Sequence, residues 1–342
     1  MKKPRSIQPV LFWLVCMSLT GCSAFSALQS NPSPETLQQT IEAISTQYTP
    51  EIASQTPQSS PSPLPTLTST PVATATPEAT GCSELHGQYE LREIVLPETS
   101  HPLGFRVYLP PCYDTDTRIE YPVLYLLHGQ SYNDNQWDRL GADETADRLI
   151  QTGEFPPFIM VMPWESNSLE SEKISRYDEY LVDNLVPFID DTYRTCALPE
   201  CRAIGGISRG GGWAMRIGLM HWDVFGAIGV HSYAPFAGDF YSAPYWFQEI
   251  PEDKYPRIYM DFGATDALIE PAGLFEERLT KYSVEHEWVI NRGTHTESYW
   301  AEHVEDYLYW YTFPWKQMYH GADAGFMTPT PAPSSTSQEL TE

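Results

Sequence analysis

Between residues 105 and 313 the chain switches repeatedly between short apolar runs and longer amphipathic ones. "FRVYLPPCY" (105–113) alternates apolar and polar positions, which predicts a strand that stops at the Pro-Pro pair. "YPVLYLLHG" (121–129) and "FIMVMPW" (158–164) are almost continuously apolar, as central strands buried on both faces must be. "CRAIGGIS" (201–208), "FGAIGVHS" (225–232), "RIYMDFGATD" (257–266) and "HEWVINRG" (286–293) add further strands, the third running on into a loop. Helical spacing predicts helices over 142–153, 177–193, 212–221, 272–283 and 298–313. Strand and helix alternate, and there is no internal repeat. The expected fold is therefore α/β, with a mostly parallel central sheet and helices on both faces. Two aromatic-containing stretches lie outside this pattern and are expected as loops lining a pocket: 164–176 and 232–256.

The two ends have a different texture. "MKKPR" precedes an apolar stretch at 10–19, too short to span a bilayer and suited to the core of an export signal. It ends at Leu19-Thr20-Gly21-Cys22, which resembles a bacterial lipoprotein signal. On that reading residues 1–21 are removed and Cys22 carries the lipid, anchoring the chain without spanning the membrane. Residues 22–83 are rich in Pro, Ser and Thr and too poor in apolar residues to build a core, so they read as a disordered tether. Residues 322–342 read as a disordered tail. Residues 84–321 are left as one domain, long enough to bury a single core.

A formal net charge of −25 excludes nucleic acid as a natural partner. It also disfavours an acidic substrate, unless a local cation such as Arg209 helps. Cys82, Cys112, Cys196 and Cys201 remain after export, an even number that suggests disulfides. Cys196 and Cys201 bracket a short turn and are the expected pair, leaving Cys82 with Cys112; free buried thiols are the alternative. There is no Cys or His spacing for a metal, and nothing implies a cofactor.

The chemistry centres on "GGISRGGG" (205–212), in which Ser208 sits in a G-x-S-x-G pattern between a short strand and a helix. Such a turn lifts a serine hydroxyl above the end of a sheet, and glycines beside it remove clashing side chains. A serine hydroxyl needs a base to take its proton. His295 lies in a loop after the last strand, where that base belongs. Asp266, at the end of the preceding strand, is the expected acid; Asp261, inside that strand, is expected to be buried. The oxyanion hole needs two backbone donors. The amide after the nucleophile, on Arg209, is one, and the amide of Gln130 in "LLHGQS" (126–131) is the other. His128, His231 and Trp300 are candidates for contacting substrate, although for His128 a structural role in shaping the Gln130 loop is favoured.

These segments together resemble an esterase family of α/β-hydrolases. It includes feruloyl esterases, acetyl-xylan-type esterases, S-formylglutathione hydrolases, enterochelin esterases and mycolyltransferases. The residues that carry the resemblance are "FRVYLPPCY", "YPVLYLLHG", "NQW" (135–137), "VPFIDDTYRT" (186–195), "GGISRGG", "GATD" (263–266) and "GTHTESYW" (293–300). The resemblance implies an α/β-hydrolase fold without a large separate lid. It places the nucleophile on Ser208, the acid on Asp266, the base on His295 and the oxyanion amides on Gln130 and Arg209. It implies ester hydrolysis through an acyl-enzyme, on a small-molecule or polysaccharide ester. The alternatives are acyl transfer to an envelope sugar or lipid, siderophore-ester hydrolysis, or glycan binding without catalysis. Export argues against the cytosolic S-formylglutathione as substrate.

Overall fold

The computed structural model describes residues 83–321, apart from 97, 98, 100, 116 and 118. The expected signal peptide, the lipidation at Cys22, the tether, the tail, and Cys82 with its expected bond to Cys112 lie outside the described residues. Eight strands form one sheet: β1 (Gln88–Ile94), β2 (Leu103–Leu109), β3 (Val123–Leu127), β4 (Ile159–Pro163), β5 (Arg202–Ile207), β6 (Ala227–His231), β7 (Arg257–Gly263) and β8 (Glu287–Asn291). Their spatial order is β1-β2-β4-β3-β5-β6-β7-β8. β1 and β2 pair antiparallel, and β2 is antiparallel to β4; every pairing from β4 to β8 is parallel.

β3, β4, β5 and β6 are buried at every position, which is why their sequences run apolar without alternation. Successive residues nevertheless face opposite ways. Val123, Tyr125 and Leu127 join one apolar cluster, while Leu124 and Leu126 join the other. On the first side lie α2 (Val186–Thr192), α3 (Arg209–Met220) and α5 (Ile269–Lys281). On the second lie α1 (Ala142–Gln151) and the long α6 (Glu297–Gly321). Each face of the sheet thus has its own core, closed by helices whose apolar stripes match it.

Three elements differ from expectation. β1 was not anticipated, because "QYELREI" is largely exposed and antiparallel pairing with β2, rather than apolar content, holds it. The aromatic stretch expected as a loop contains α4 (Asp239–Glu249), despite Pro244 in its interior. Asp239 at its start is locked to Arg216 of α3, and Phe247 is buried in the core, so tertiary contacts override the proline. The helix over 177–192 widens into a π turn at Tyr180–Leu185, just before Pro187. Proline has no N–H for the preceding turn, and one wide turn accommodates that gap. Cys196 and Cys201 are joined by a disulfide, with Cα atoms 5.7 Å apart, across the turn that leads into β5.

Register decides what the sheet can present. Leu127 pairs with Gly206, Ile207 with His231, His231 with Asp261, and Gly263 with Asn291. The segments that follow β3, β5, β6, β7 and β8 therefore emerge at one edge, the carboxyl end of the parallel strands.

Candidate active site

Ser208 is the residue between β5 and α3, and its backbone is in a sparsely populated conformation, φ 55° and ψ −115°. Such strain costs of order 1–3 kcal/mol and must be held by its surroundings. The holding bonds are visible. Its N–H donates to the His231 carbonyl at 2.9 Å, and its own carbonyl accepts from Gly212 at 3.0 Å and Ala234 at 3.1 Å. The glycines are explained by close approach. A Cβ on Gly206 would lie 2.3 Å from the Gly210 carbonyl, and one on Gly210 would lie 2.4 Å from the Leu127 carbonyl. A Cβ on Gly212 would lie 2.5 Å from the Ala234 carbonyl, so the third glycine lets the segment after β6 lie against the helix start.

The hydroxyl of Ser208 is 3.0 Å from His295 Nε2, and His295 Nδ1 is 3.0 Å from Asp266 Oδ2. The residues come from three loops of the same sheet edge. Two of those loops are stitched together: Thr265 donates its N–H to the Gly293 carbonyl at 2.9 Å, and Thr294 donates its hydroxyl to the Thr265 carbonyl at 3.2 Å. The Asp266 side chain is fully buried, while that of His295 is about one-third exposed (32 %). Burial pushes the Asp266 carboxyl up, but hydrogen bonds from His295, from the Ser232 hydroxyl and from the Leu268 N–H outweigh it and hold the group below the usual carboxylate range. An ionised Asp266 fixes the Nδ1–H tautomer of His295, leaving Nε2 free to accept the serine proton.

The loop after β3 lies against the Ser208 turn. A Cβ on Gly129 would be 3.6 Å from the Ile207 carbonyl. Gln136 Oε1 accepts the Gly129 N–H at 2.7 Å, and the Trp137 indole N–H donates to the Leu127 carbonyl at 3.1 Å. These bonds fix the backbone around Gln130. Arg209 is the first residue of α3, where amides have no intrahelical partner and the helix dipole is positive.

The structure buries all three candidate substrate contacts and partners them within the fold. His128 is buried (3 % exposed); its Nδ1–H donates to the Gly129 carbonyl at 2.8 Å and its Nε2 accepts the Glu165 N–H at 2.9 Å. Both ring nitrogens are spent on shaping the loop, and burial pushes its pKa down. His231 is fully buried, bound to Asp261 Oδ1 at 2.6 Å and to the Tyr311 hydroxyl at 3.0 Å, and stacked on Tyr307. Trp300 is buried too; its N–H donates to Ser232 Oγ and its ring lies edge-on to His295.

The Arg209 cation is likewise withdrawn from substrate. Its guanidinium makes a bidentate pair with the buried Glu165, at 2.8 and 2.6 Å, and donates to the Glu170 carbonyl at 2.9 Å. The 164–176 loop is thereby strapped to α3. Glu165 and Ser232 carried no signal in the sequence, because neither belongs to a periodic pattern or a motif. Asp261 is buried within β7, as expected, and accepts from the hydroxyls of Tyr299 at 2.6 Å and Tyr307 at 2.8 Å.

Comparison with known proteins gives the same fold and a family. A ferulic acid esterase superposes with a TM-score of 0.60 at 24 % identity, covering 67 % of this chain and 99 % of that one. An S-formylglutathione hydrolase of Staphylococcus aureus superposes with a TM-score of 0.56 at 18 % identity, covering 66 % and 99 %. The sheet with its flanking helices is thus the α/β-hydrolase fold. Among curated sequences, an endo-1,4-beta-xylanase/feruloyl esterase of Xylanibacter ruminicola is 30 % identical over 200 residues, which are 55 % of this chain and 26 % of the relative. Esterase Rv1288 of Mycobacterium tuberculosis is 33 % identical over 138 residues, 38 % of this chain and 28 % of the relative. The chain therefore matches only about a quarter of the length of these relatives. The match to the family model named Esterase runs from residue 97 to residue 311, through β2 and into α6, and takes in Ser208, Asp266 and His295; the chain belongs to that family.

Proposed function

We propose that this chain is a serine carboxylic-ester hydrolase working through Ser208, His295 and Asp266. The observation that carries this reading is the continuous hydrogen-bonded line from Asp266 through His295 to Ser208, with both contacts at 3.0 Å and the serine on a strained turn. In the first half-reaction Ser208 Oγ attacks the ester carbonyl while His295 Nε2 takes its proton. Asp266 stabilises the resulting imidazolium. The amides of Arg209 and Gln130 would receive the tetrahedral oxyanion, each such donor contributing about 3 kcal/mol. Collapse expels the alcohol, which takes the proton from His295 Nε2, and leaves an acyl-enzyme on Ser208. Water, deprotonated by His295, then attacks the acyl carbonyl, releases the acid and restores the serine.

The substrate class we favour is an acyl or feruloyl ester of a polysaccharide. Support comes from the relative named feruloyl esterase, and from the apolar stretch at 10–19 followed by Thr20-Gly21-Cys22, which suits an exported, lipid-anchored chain. The test is Ser208→Ala, assayed on feruloyl, acetyl-xylan and short p-nitrophenyl esters. The expected loss in kcat/KM is at least about a thousandfold, with loss of fluorophosphonate labelling. Retained turnover in Ser208→Ala would refute the assignment, and release of product only to an added alcohol would make the chain an acyltransferase.

A further inference from the structure

The parallel strands have a second end, away from Ser208. Ala227, Arg257 and Glu287, the first residues of β6, β7 and β8, lie there. Ala227 and Arg257 line one cavity of about 810 Å³, and Arg257 and Glu287 line another of about 720 Å³. Arg257, Pro314 and Gln317 line both, so the two adjoin as a trough along the last turns of α6. Each cavity alone has the volume of a small-molecule site. The hydrolytic cycle uses no residue of this trough.

One wall is an exposed aromatic shelf. Asp306, Tyr309, Phe313 and Gln317 follow at three- and four-residue spacing, so they share one face of α6. Tyr309 and Phe313 are 47 % and 45 % exposed, with ring centroids 6.1 Å apart and planes 33° from parallel. The buried Phe155 packs against Tyr309 at 6.0 Å. Two rings of similar tilt, one helical turn apart, are thus bracketed by a carboxylate and an amide, both exposed.

The charges along the trough argue against an ionic ligand. Beside the shelf, an anion meets Asp306 and Glu287. A cation meets Arg257, whose guanidinium already covers the Trp310 ring at 4.2 Å and donates to the Trp310 carbonyl at 3.2 Å. Trp310 is fixed in turn by donating its indole N–H to Glu287 Oε1 at 2.7 Å. What suits flat exposed rings between hydrogen-bonding groups of both signs is an uncharged molecule with apolar C–H faces and a rim of hydroxyls, which is the chemistry of a sugar. Two adjoining cavities suit several linked units better than one.

We propose that this trough is a second binding site, which takes a stretch of neutral polysaccharide on Tyr309 and Phe313. The choice of a polymer over a small polyol rests on the substrate class proposed above. Strands of five to seven residues separate the trough from the Ser208 edge, roughly 15–25 Å at the rise of a β-strand. A chain held here therefore lies outside the reacting centre, and keeps the enzyme on the polymer while nearby esters reach Ser208. Holding raises the effective concentration of those esters without changing the chemistry.

The test is affinity electrophoresis of the full chain in gels containing soluble arabinoxylan, galactomannan or mixed-linkage β-glucan. Polygalacturonate and chitosan are the charged controls. Wild type and Ser208→Ala are expected to be retarded equally by at least one neutral polymer. Tyr309→Ala with Phe313→Ala removes two exposed rings and should leave the melting temperature unchanged while weakening that binding about tenfold or more. The same double variant should keep wild-type kcat and KM on a short p-nitrophenyl ester. Absence of retardation by every neutral polymer would overturn the proposal, as would undiminished retardation of the double variant. Stronger retention by either charged polymer would do the same, and so would a wild-type dimer that the double variant breaks. The two readings fail separately. Retardation that the double variant loses, in a chain without esterase turnover, removes the hydrolase and leaves the sugar site; turnover beside unaltered retardation of the double variant removes the sugar site alone.

Discussion

Removing the Glu165 carboxylate should unfold this protein at a markedly lower temperature, although Glu165 lies outside the reacting groups. Its side chain is 4 % exposed and that of Arg209 11 %, and the two are joined by two charge-assisted bonds at 2.8 and 2.6 Å. Glu165→Ala would leave a buried guanidinium with one carbonyl partner, the Glu170 oxygen at 2.9 Å, and with the faces of Trp213 and Phe236 at 5.7 and 5.4 Å. Breaking a buried pair from one side costs about 3–5 kcal/mol. For a domain of this size each kcal/mol lowers Tm by roughly 2–4 °C, so a fall of roughly 6–20 °C is expected. Circular dichroism melts at one pH measure it. The control is Glu165→Met with Arg209→Met, which removes both charges and should recover much of the loss, because the desolvation cost disappears with the pair. A Glu165→Ala melt within about 2 °C of wild type, less than 1 kcal/mol, would refute the reasoning and mean that water reaches Arg209.

Two further outcomes follow from the same geometry. Gly210→Ala places a Cβ 2.4 Å from the Leu127 carbonyl and 2.6 Å from the His128 carbonyl, both backbone; with no side chain able to yield, a loss of at least about 1–3 kcal/mol in melts is expected together with most ester turnover. His128 has its pKa pushed down by burial, so the folded state takes up its proton less readily than the unfolded chain does. Its contribution to stability is then fully present above the unfolded value of about 6.5 and is lost as pH falls through the folded value. Tm should decline from pH 7 toward pH 5 more steeply in the wild type than in His128→Gln; equal slopes would count against the buried neutral imidazole.

The core strands and most helices were legible because their information is local. A strand buried on both faces must be apolar throughout, and a helix lying on it must repeat its apolar positions at 3–4 residue spacing. The Ser208 turn was legible for a related reason: a sharp strand–turn–helix needs glycines at particular offsets, and those offsets are written in the chain. The order Ser208, Asp266, His295 follows from where strands end, which the same periodicity marks. β1 was missed because an exposed edge strand has no apolar signature, and α4 because Pro244 argues locally against a helix that Arg216 and the core hold in place.

The alternation of elements, the glycine-bounded serine and the residues that could serve it were thus written in the chain. The partnering of buried polar groups came from packing in three dimensions. His128, His231 and Trp300 looked available to a substrate, yet each is buried against groups 30 to 80 positions away: Glu165, Asp261 and Tyr311, and Ser232. Arg209 looked like a free cation and is neutralised by a carboxylate 44 residues earlier. A hydrogen bond or ion pair is set by register and packing across the sheet. Neither leaves a periodic trace, so the partners of a buried polar side chain emerge only when the strands are laid side by side.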